Sequence, residues 1–262
     1  MKTTLLRLFV GAVALVGVGA AAQAETIRFS VAAEPYPPFA SKNAAGQWEG
    51  FEVDLIKALC DKLKPDTCEL KETAWDGIIP ALTSKKIDVI FASMSITDER
   101  KKTIDFSIPY YNTPAAVVAE KDSTITTDPK SFEGKTVGVQ TATIHANFAD
   151  QKLKGIAEIK IYNTQDEANS DLAAGRIDAT IADSAALEPF LATEAGKGYA
   201  FKGFFDKADP IWGAGVGAGI RKGDTELLNK INKAIREIYA DGTYEKIEKK
   251  YFTYDVATPP KS

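Results

Sequence analysis

Thr26 to Ala33 alternates apolar and polar residues, a period of two that predicts a strand. The period changes between Asp54 and Lys64. Ile56, Leu59, Cys60 and Leu63 stand at i, i+3, i+4 and i+7, one face of an amphipathic helix. A short strand is expected over Glu69–Thr73, then a helix from Asp76 to Lys85 with Asp76 as its N-cap. Pro80 is tolerable there only because it lies in the first turn. Ile87–Ala92 is apolar without alternation, the pattern of a strand covered on both faces in a parallel sheet. The middle of the chain repeats this order. Strands are predicted over Thr136–Gln140, Ile156–Tyr162 and Ile177–Ala182, and helices over Thr143–Gln151 and from the capping box Thr164-Gln165-Asp166-Glu167 to Ala174.

The two halves also match residue by residue. Leu82–Ala92 (LTSKKIDVIFA) and Leu172–Ala182 (LAAGRIDATIA) align at an offset of 90, sharing Leu, a basic residue, Ile-Asp and an apolar strand ending in Ala. Helix–turn–strand units often look alike, which is one explanation. The other is two α/β lobes of the same βαβαβ build, with Ser93 of the first corresponding to Asp183 of the second. Open α/β sheets bind ligands beyond the carboxyl ends of their strands. Ser93, Asp183, the Tyr36 loop and the Thr141–Thr143 loop all follow such ends, so facing lobes would collect them in one cleft. The C-terminal part repeats nothing in the middle lobe. Trp212–Asp224 reads as a glycine-rich strand, Asp224 caps a helix to Ala240 with Leu228, Ile231, Ile235 and Ile238 on one side, and Tyr244–Lys250 forms a second short helix. Its return to the first lobe gives two chain crossings and a hinge.

The first 24 residues stand apart from these patterns. Lys2 and Arg7 make a positive start, Leu8–Gly19 is small and apolar, and Ala22-Gln23-Ala24 fits a cleavage site before Glu25. This is the pattern of a secretory signal peptide, the alternative being an uncleaved anchor. The expectation is an exported, soluble protein made of residues 25–262. The chain of 262 residues has a net charge of −4, and Lys2 and Arg7 belong to the leader, so the remainder is more acidic still. With no basic tract, that balance argues against nucleic acid or an anionic membrane surface as a partner. Cys60 and Cys68, a close pair in an exported chain, read as a disulfide tying the end of a helix to the next strand. Two free thiols or half of a metal site are the alternatives, and the second is weak because two Cys and the single His145 cannot close a tetrahedral site.

The candidate chemistry lies at the strand ends. Arg100, five residues after Ser95, offers a permanent planar charge that grips a carboxylate with two hydrogen bonds. On its own it would be a surface charge. With the small residues Ser93 and Ser95 and the backbone N–H groups freed after the strand, it makes a carboxylate site. Asp183 follows a buried strand, where an acid needs a cation or hydrogen-bond donors. It either caps the next helix or accepts an ammonium group. Tyr36 and Trp75 are core residues or a pair that sandwiches a flat or cationic side chain. Glu34 and Glu52 flank them and are placed to meet a distal positive charge. His145 follows the Thr141–Thr143 loop, with no G-x-S-x-G context for a triad. No phosphate-binding glycine motif stands between a strand and a helix.

Taken together, Tyr36–Phe39 (YPPF), Gly50–Leu55 (GFEVDL), Lys86–Asp88, Ser95–Arg100 (SITDER), Gly175–Asp178 and Asp241–Phe252 (DGTYEKIEKKYF) make the mature chain resemble, along nearly its whole length, the periplasmic solute-binding proteins of polar amino acid ABC transporters. The resemblance is to their family 3, and within it to the histidine and lysine–arginine–ornithine binding branch. It implies a two-lobed α/β Venus-flytrap fold of type II with two hinge crossings. Lobe 1 would comprise residues 25–117 and 212–262, and lobe 2 residues 118–211. It implies that Arg100, with the N–H groups of Ser95 and of the Thr143–Ile144 turn, binds a ligand α-carboxylate. Asp183, the Ser95 hydroxyl and the Ser93 carbonyl would receive the α-ammonium, and Tyr36 and Trp75 would stack on the side chain. It further implies a periplasmic monomer without cofactor, metal or catalytic residues, handing a cationic L-amino acid to a membrane permease and its ATPase. The chain departs from the branch at Ala33, where an acid is usual, at Ala92, where a serine is usual, and at Trp75, which is larger than the usual side chain. An opine or another polar amino acid therefore stays open as ligand, and a cyclohexadienyl dehydratase-like enzyme on the same fold is the alternative of another class.

Overall fold

The computed structural model describes residues 24–260. The expected leader, except Ala24, lies outside the described residues. The first part of the chain runs β1 (Thr26–Ala32), a small ribbon of β2 (Ser41–Lys42) and β3 (Trp48–Glu49), α1 (Phe51–Lys62), β4 (Thr67–Thr73), α2 (Ile78–Thr83), β5 (Val89–Ile90), α3 (Asp98–Lys101) and β6 (Ile104–Phe106). The middle runs β7 (Ala115–Glu120), β8 (Thr136–Gln140), α4 (Ile144–Phe148), β9 (Glu158–Tyr162), α5 (Gln165–Ala173), β10 (Ala179–Asp183), α6 (Ser184–Leu191) and β11 (Tyr199–Phe204). The chain ends in β12 (Gly219–Arg221), α7 (Thr225–Ala240) and α8 (Thr243–Tyr251).

Two five-stranded sheets result, ordered β4-β1-β5-β12-β6 and β11-β7-β10-β8-β9. Each has three parallel strands from one βαβαβ unit, followed on one side by two more strands, each paired antiparallel with its neighbour. The 90-residue repeat is visible in the hydrogen bonds. Asp88 accepts from the Arg28 N–H at 3.0 Å, and Asp178 accepts from the Thr136 N–H at 2.8 Å. Each aspartate returns its own N–H to the carbonyl of the same residue. The Ile-Asp pair thus ties the third parallel strand of each lobe to the start of the first. The residue that turns the chain beforehand is left-handed in both lobes, Lys85 at φ 62° and Gly175 at φ 68°.

Two crossings join the sheets. β7 belongs wholly to the second sheet, so the division at 117/118 cuts a strand, and we place the first crossing before Ala115. Trp212 packs with Phe148 and Phe205 in the second lobe's core, so we place the second crossing just after it, at residues 213–215. Tyr111 and Val216 bridge where the crossings run side by side, and Ala257 of the C-terminal tail bridges Tyr111 from the other flank.

Three local expectations are corrected. The helix expected from Asp76 is a tight turn, Trp75–Gly77, followed by α2, and Asp76 makes no capping bond. The Glu34 carboxylate instead accepts the Trp75 N–H at 2.9 Å, doing from another segment what a local cap does. The glycine-rich strand shrinks to Gly219–Arg221. Gly213 and Gly215 have φ 77° and 93°, and a side chain on Gly213 would run into the Ile96 carbonyl, so these glycines serve close passage of the hinge rather than pairing. The first helix begins at Phe51, three residues early. Gly50, at φ 128° against the Phe39 carbonyl, admits the chain and turns Glu52 inward. Cys60 and Cys68 form a disulfide with Cα atoms 5.9 Å apart, joining α1 to β4 as expected. Among the described residues no helix is long and apolar enough to cross a membrane.

Candidate ligand-binding site

One cavity between the lobes is lined by Glu34, Tyr36, Glu52, Trp75, Ala92, Ser93, Ser95 and Arg100 from the first lobe and by Thr143, Ile144 and Asp183 from the second. The eleven residues expected to contact a ligand all line it, though not all in the expected way. Ala32, Phe39, Ala40, Gln140 and His145 complete the wall.

Arg100 sits where the strand-end serines direct it. Thr97 caps α3 by accepting the Arg100 N–H at 3.2 Å, and the single turn swings the guanidinium back so that Nη1 donates to the Ser95 carbonyl at 2.9 Å. Nη2 donates across the cleft to the Ala142 carbonyl at 3.0 Å, and the guanidinium lies 5.4 Å from the centre of the Trp75 ring. Burial pushes the arginine pKa down to about 10, with Asp183 partly opposing the shift. It stays protonated at neutral pH, and among the described residues it makes no ion pair within 4.0 Å. A desolvated cation in that position is complemented by an anion.

Glu52 corrects the expectation that it meets a distal charge of a ligand. It is fully buried beneath the cavity. Its oxygens accept the Ser93 N–H at 2.9 and 2.8 Å, the Ser93 hydroxyl at 3.0 Å, the Tyr110 hydroxyl at 2.6 Å and the Tyr111 hydroxyl at 3.4 Å. Burial raises its pKa against these hydrogen bonds, which oppose the shift. The carboxylate is a brace. It holds Ser93 at φ 53° and uses up that residue's N–H and hydroxyl, leaving the carbonyl for the cleft. Tyr110 and Tyr111 went unrecognised in the sequence, because nothing in its periodicity relates them to a residue 58 and 59 positions earlier.

Opposite, Asp183 ends β10. It stands at the N-cap of α6 but makes no capping bond with its side chain. Oδ2 accepts from the Tyr36 hydroxyl at 2.7 Å and Oδ1 from the Thr113 hydroxyl at 3.0 Å, so both oxygens are aimed by the hinge and by the other lobe. Tyr36 has a role that its sequence position did not reveal. Its hydroxyl bridges the cleft, while its ring stacks on Phe39 at 5.7 Å. Thr143 caps α4, accepting from the Ala146 N–H at 3.0 Å and donating to the Gln140 carbonyl at 2.7 Å. His145 is buried, and its Nε2 has no partner among the described residues. Burial lowers its pKa and nearby Arg100 adds to this, while Asp183 opposes, so the ring is neutral near pH 7. Ala92 contributes a wall without a hydroxyl.

Two α/β lobes, joined at a hinge and closed over a cavity with a guanidinium on one side and a carboxylate on the other, define a type II periplasmic binding protein. The chain belongs to the bacterial extracellular solute-binding proteins, family 3, whose family model matches residues 28–254. It is 47% identical over 224 residues to the L-arginine-binding protein of Pseudomonas aeruginosa, covering 84% of this chain and 86% of that one. It is 40% identical over 264 residues to the lysine/arginine/ornithine-binding periplasmic protein of Escherichia coli, covering 98% and 99%. An ancestral arginine-binding protein solved with arginine matches the fold with a TM-score of 0.79 at 38% identity, over 87% of this chain and 98% of that one.

Proposed function

We propose that this protein is the periplasmic receptor of an ABC importer for a cationic L-amino acid, with arginine, lysine, ornithine and histidine as the class. The observation that carries this reading is the opposition of Arg100 and Asp183 across one cavity. The first suits an α-carboxylate, together with the N–H groups of Ser95 and of the Thr143–Ile144 turn. The second suits an α-ammonium, together with the Ser93 carbonyl and the Ser95 hydroxyl. Arg100 and Asp183 balance each other, and Glu34 adds a carboxylate to the wall, which favours a ligand with a further positive group. Where relatives of the branch have an acid, this chain has Ala33. Glu34 is the substitute, since only its Oε2 is engaged by the Trp75 N–H. Glu52 is taken up by the brace under Ser93 and is not free as a general acid, and the relatives named above are binding proteins, which favours binding over turnover. The protein acts as a monomer and hands its ligand to a permease and its ATPase.

Titration calorimetry over the L-amino acids and opines tests the reading. Cationic amino acids are expected to bind and acidic ones to give no heat. Absence of heat and of any thermal shift with all of them overturns it, and turnover of prephenate or arogenate would replace it with the enzyme.

A further inference from the structure

We infer that Trp75 is a positioning residue that clasps the two lobes shut, so that its indole N–H, beyond any contact of its ring with a ligand, sets how long the closed site lasts. The inference rests on the function proposed above. Two consecutive carbonyls of the second lobe, Thr141 and Ala142, accept from two neighbouring side chains of the first: Trp75 Nε1 at 3.1 Å and Arg100 Nη2 at 3.0 Å. Successive carbonyls of an extended chain point in opposite directions. Here Ala142 has φ 56°, a conformation that alanine adopts only where the surroundings impose it.

Both ends of the clasp are anchored, one to a strand and the other to Glu34. The Thr141 N–H donates to the Tyr162 carbonyl at 2.8 Å, at the end of β9. The Trp75 N–H is held by Glu34, and one face of its ring is taken by the Arg100 guanidinium, 5.4 Å from the ring centre. A ring fixed at its backbone, its face and its N–H is not free to follow a ligand side chain. The bond to Thr141 exists only while the lobes face each other, so it stabilises the closed form selectively and acts on ligand release rather than capture.

The test compares the wild type with Trp75→Phe, which keeps a ring for Arg100 but has no N–H, and with Trp75→Leu, which has neither. Calorimetry with L-arginine gives affinity, a radiolabelled chase gives release, and single-molecule energy transfer between dyes on the two lobes gives the closed fraction without ligand. For Trp75→Phe, release about five-fold faster with association unchanged is expected, the worth of one hydrogen bond, and Trp75→Leu is faster still. A Trp75→Phe variant that releases arginine at the wild-type rate overturns the clasp and leaves the proposed function standing. If the wild type binds no amino acid, the function falls, and the closed fraction decides alone: lower in Trp75→Phe supports the clasp, equal overturns it. Should the variants fail to fold, solvent exchange of the Trp75 indole proton in the wild type gives the answer. Slower exchange on adding arginine supports the clasp, and unchanged exchange overturns it.

Discussion

At the scale of single residues, the site is an arrangement of charges that each need a partner. The Arg100 guanidinium is bonded only to carbonyls among the described residues and is partly desolvated, so its replacement acts on binding more than on folding. Arg100→Lys keeps the charge but loses the planar fork. We expect affinity for the amino acid to fall about 10- to 100-fold, with the melting temperature unchanged or raised, checked by calorimetry and thermal denaturation. Glu52 behaves oppositely. Glu52→Gln puts a donor against the Ser93 N–H and removes an acceptor, at a cost of about 1–3 kcal/mol in stability. Its pKa is raised from 4.5 in the folded protein, so the folded state binds the extra proton. Stability from this group is present below pH 4.5 and is lost as pH rises through the raised value. Melting curves over pH should therefore fall more steeply in that window for the wild type than for Glu52→Gln. That Arg100, Ser95 and Asp183 would face one cavity was legible, because strand ends and short spacings locate them. The brace under Ser93 was not, because its parts come from residues 52, 93, 110 and 111 and meet only in three dimensions.

At the scale of elements, the strongest sequence signals were local hydrogen-bonding patterns. The capping box at Thr164 and Glu167 and the Asp224 cap are both formed as read, because cap and helix are contiguous. The Asp76 helix misled because its start is capped by Glu34, 41 residues away. The alternating glycines misled because spacing two also suits a chain that squeezes past Ile96. The Cys60–Cys68 bond closes a short loop between α1 and β4, away from the residues lining the cavity. Replacing both cysteines by alanine should cost about 2–3 kcal/mol while leaving the affinity for ligand within about two-fold, the variation of surface changes remote from a site. Denaturant melts and calorimetry on the same variant check both parts.

At the scale of the whole molecule, the 90-residue repeat announced two lobes, and the lack of a third copy announced a returning C-terminal part. What the repeat could not announce is how the lobes meet. Tyr36–Asp183, Trp75–Thr141 and Arg100–Ala142 cross the cleft, and Tyr254 of the tail donates to Glu188 of α6 at 2.8 Å. No periodicity in the tail marks it as a strap alongside the hinge, where Asn112 donates to the Val256 carbonyl. In the proposed function the closed cleft holds both ends of an α-amino acid, the carboxylate on Arg100 and the ammonium on Asp183. The most direct measurement compares L-arginine with agmatine, the same molecule without its carboxylate, by titration calorimetry at neutral pH. Arginine is expected to bind, and agmatine to bind at least about 100-fold more weakly, the worth of a charge-assisted pair. Equal binding of the two would contradict it.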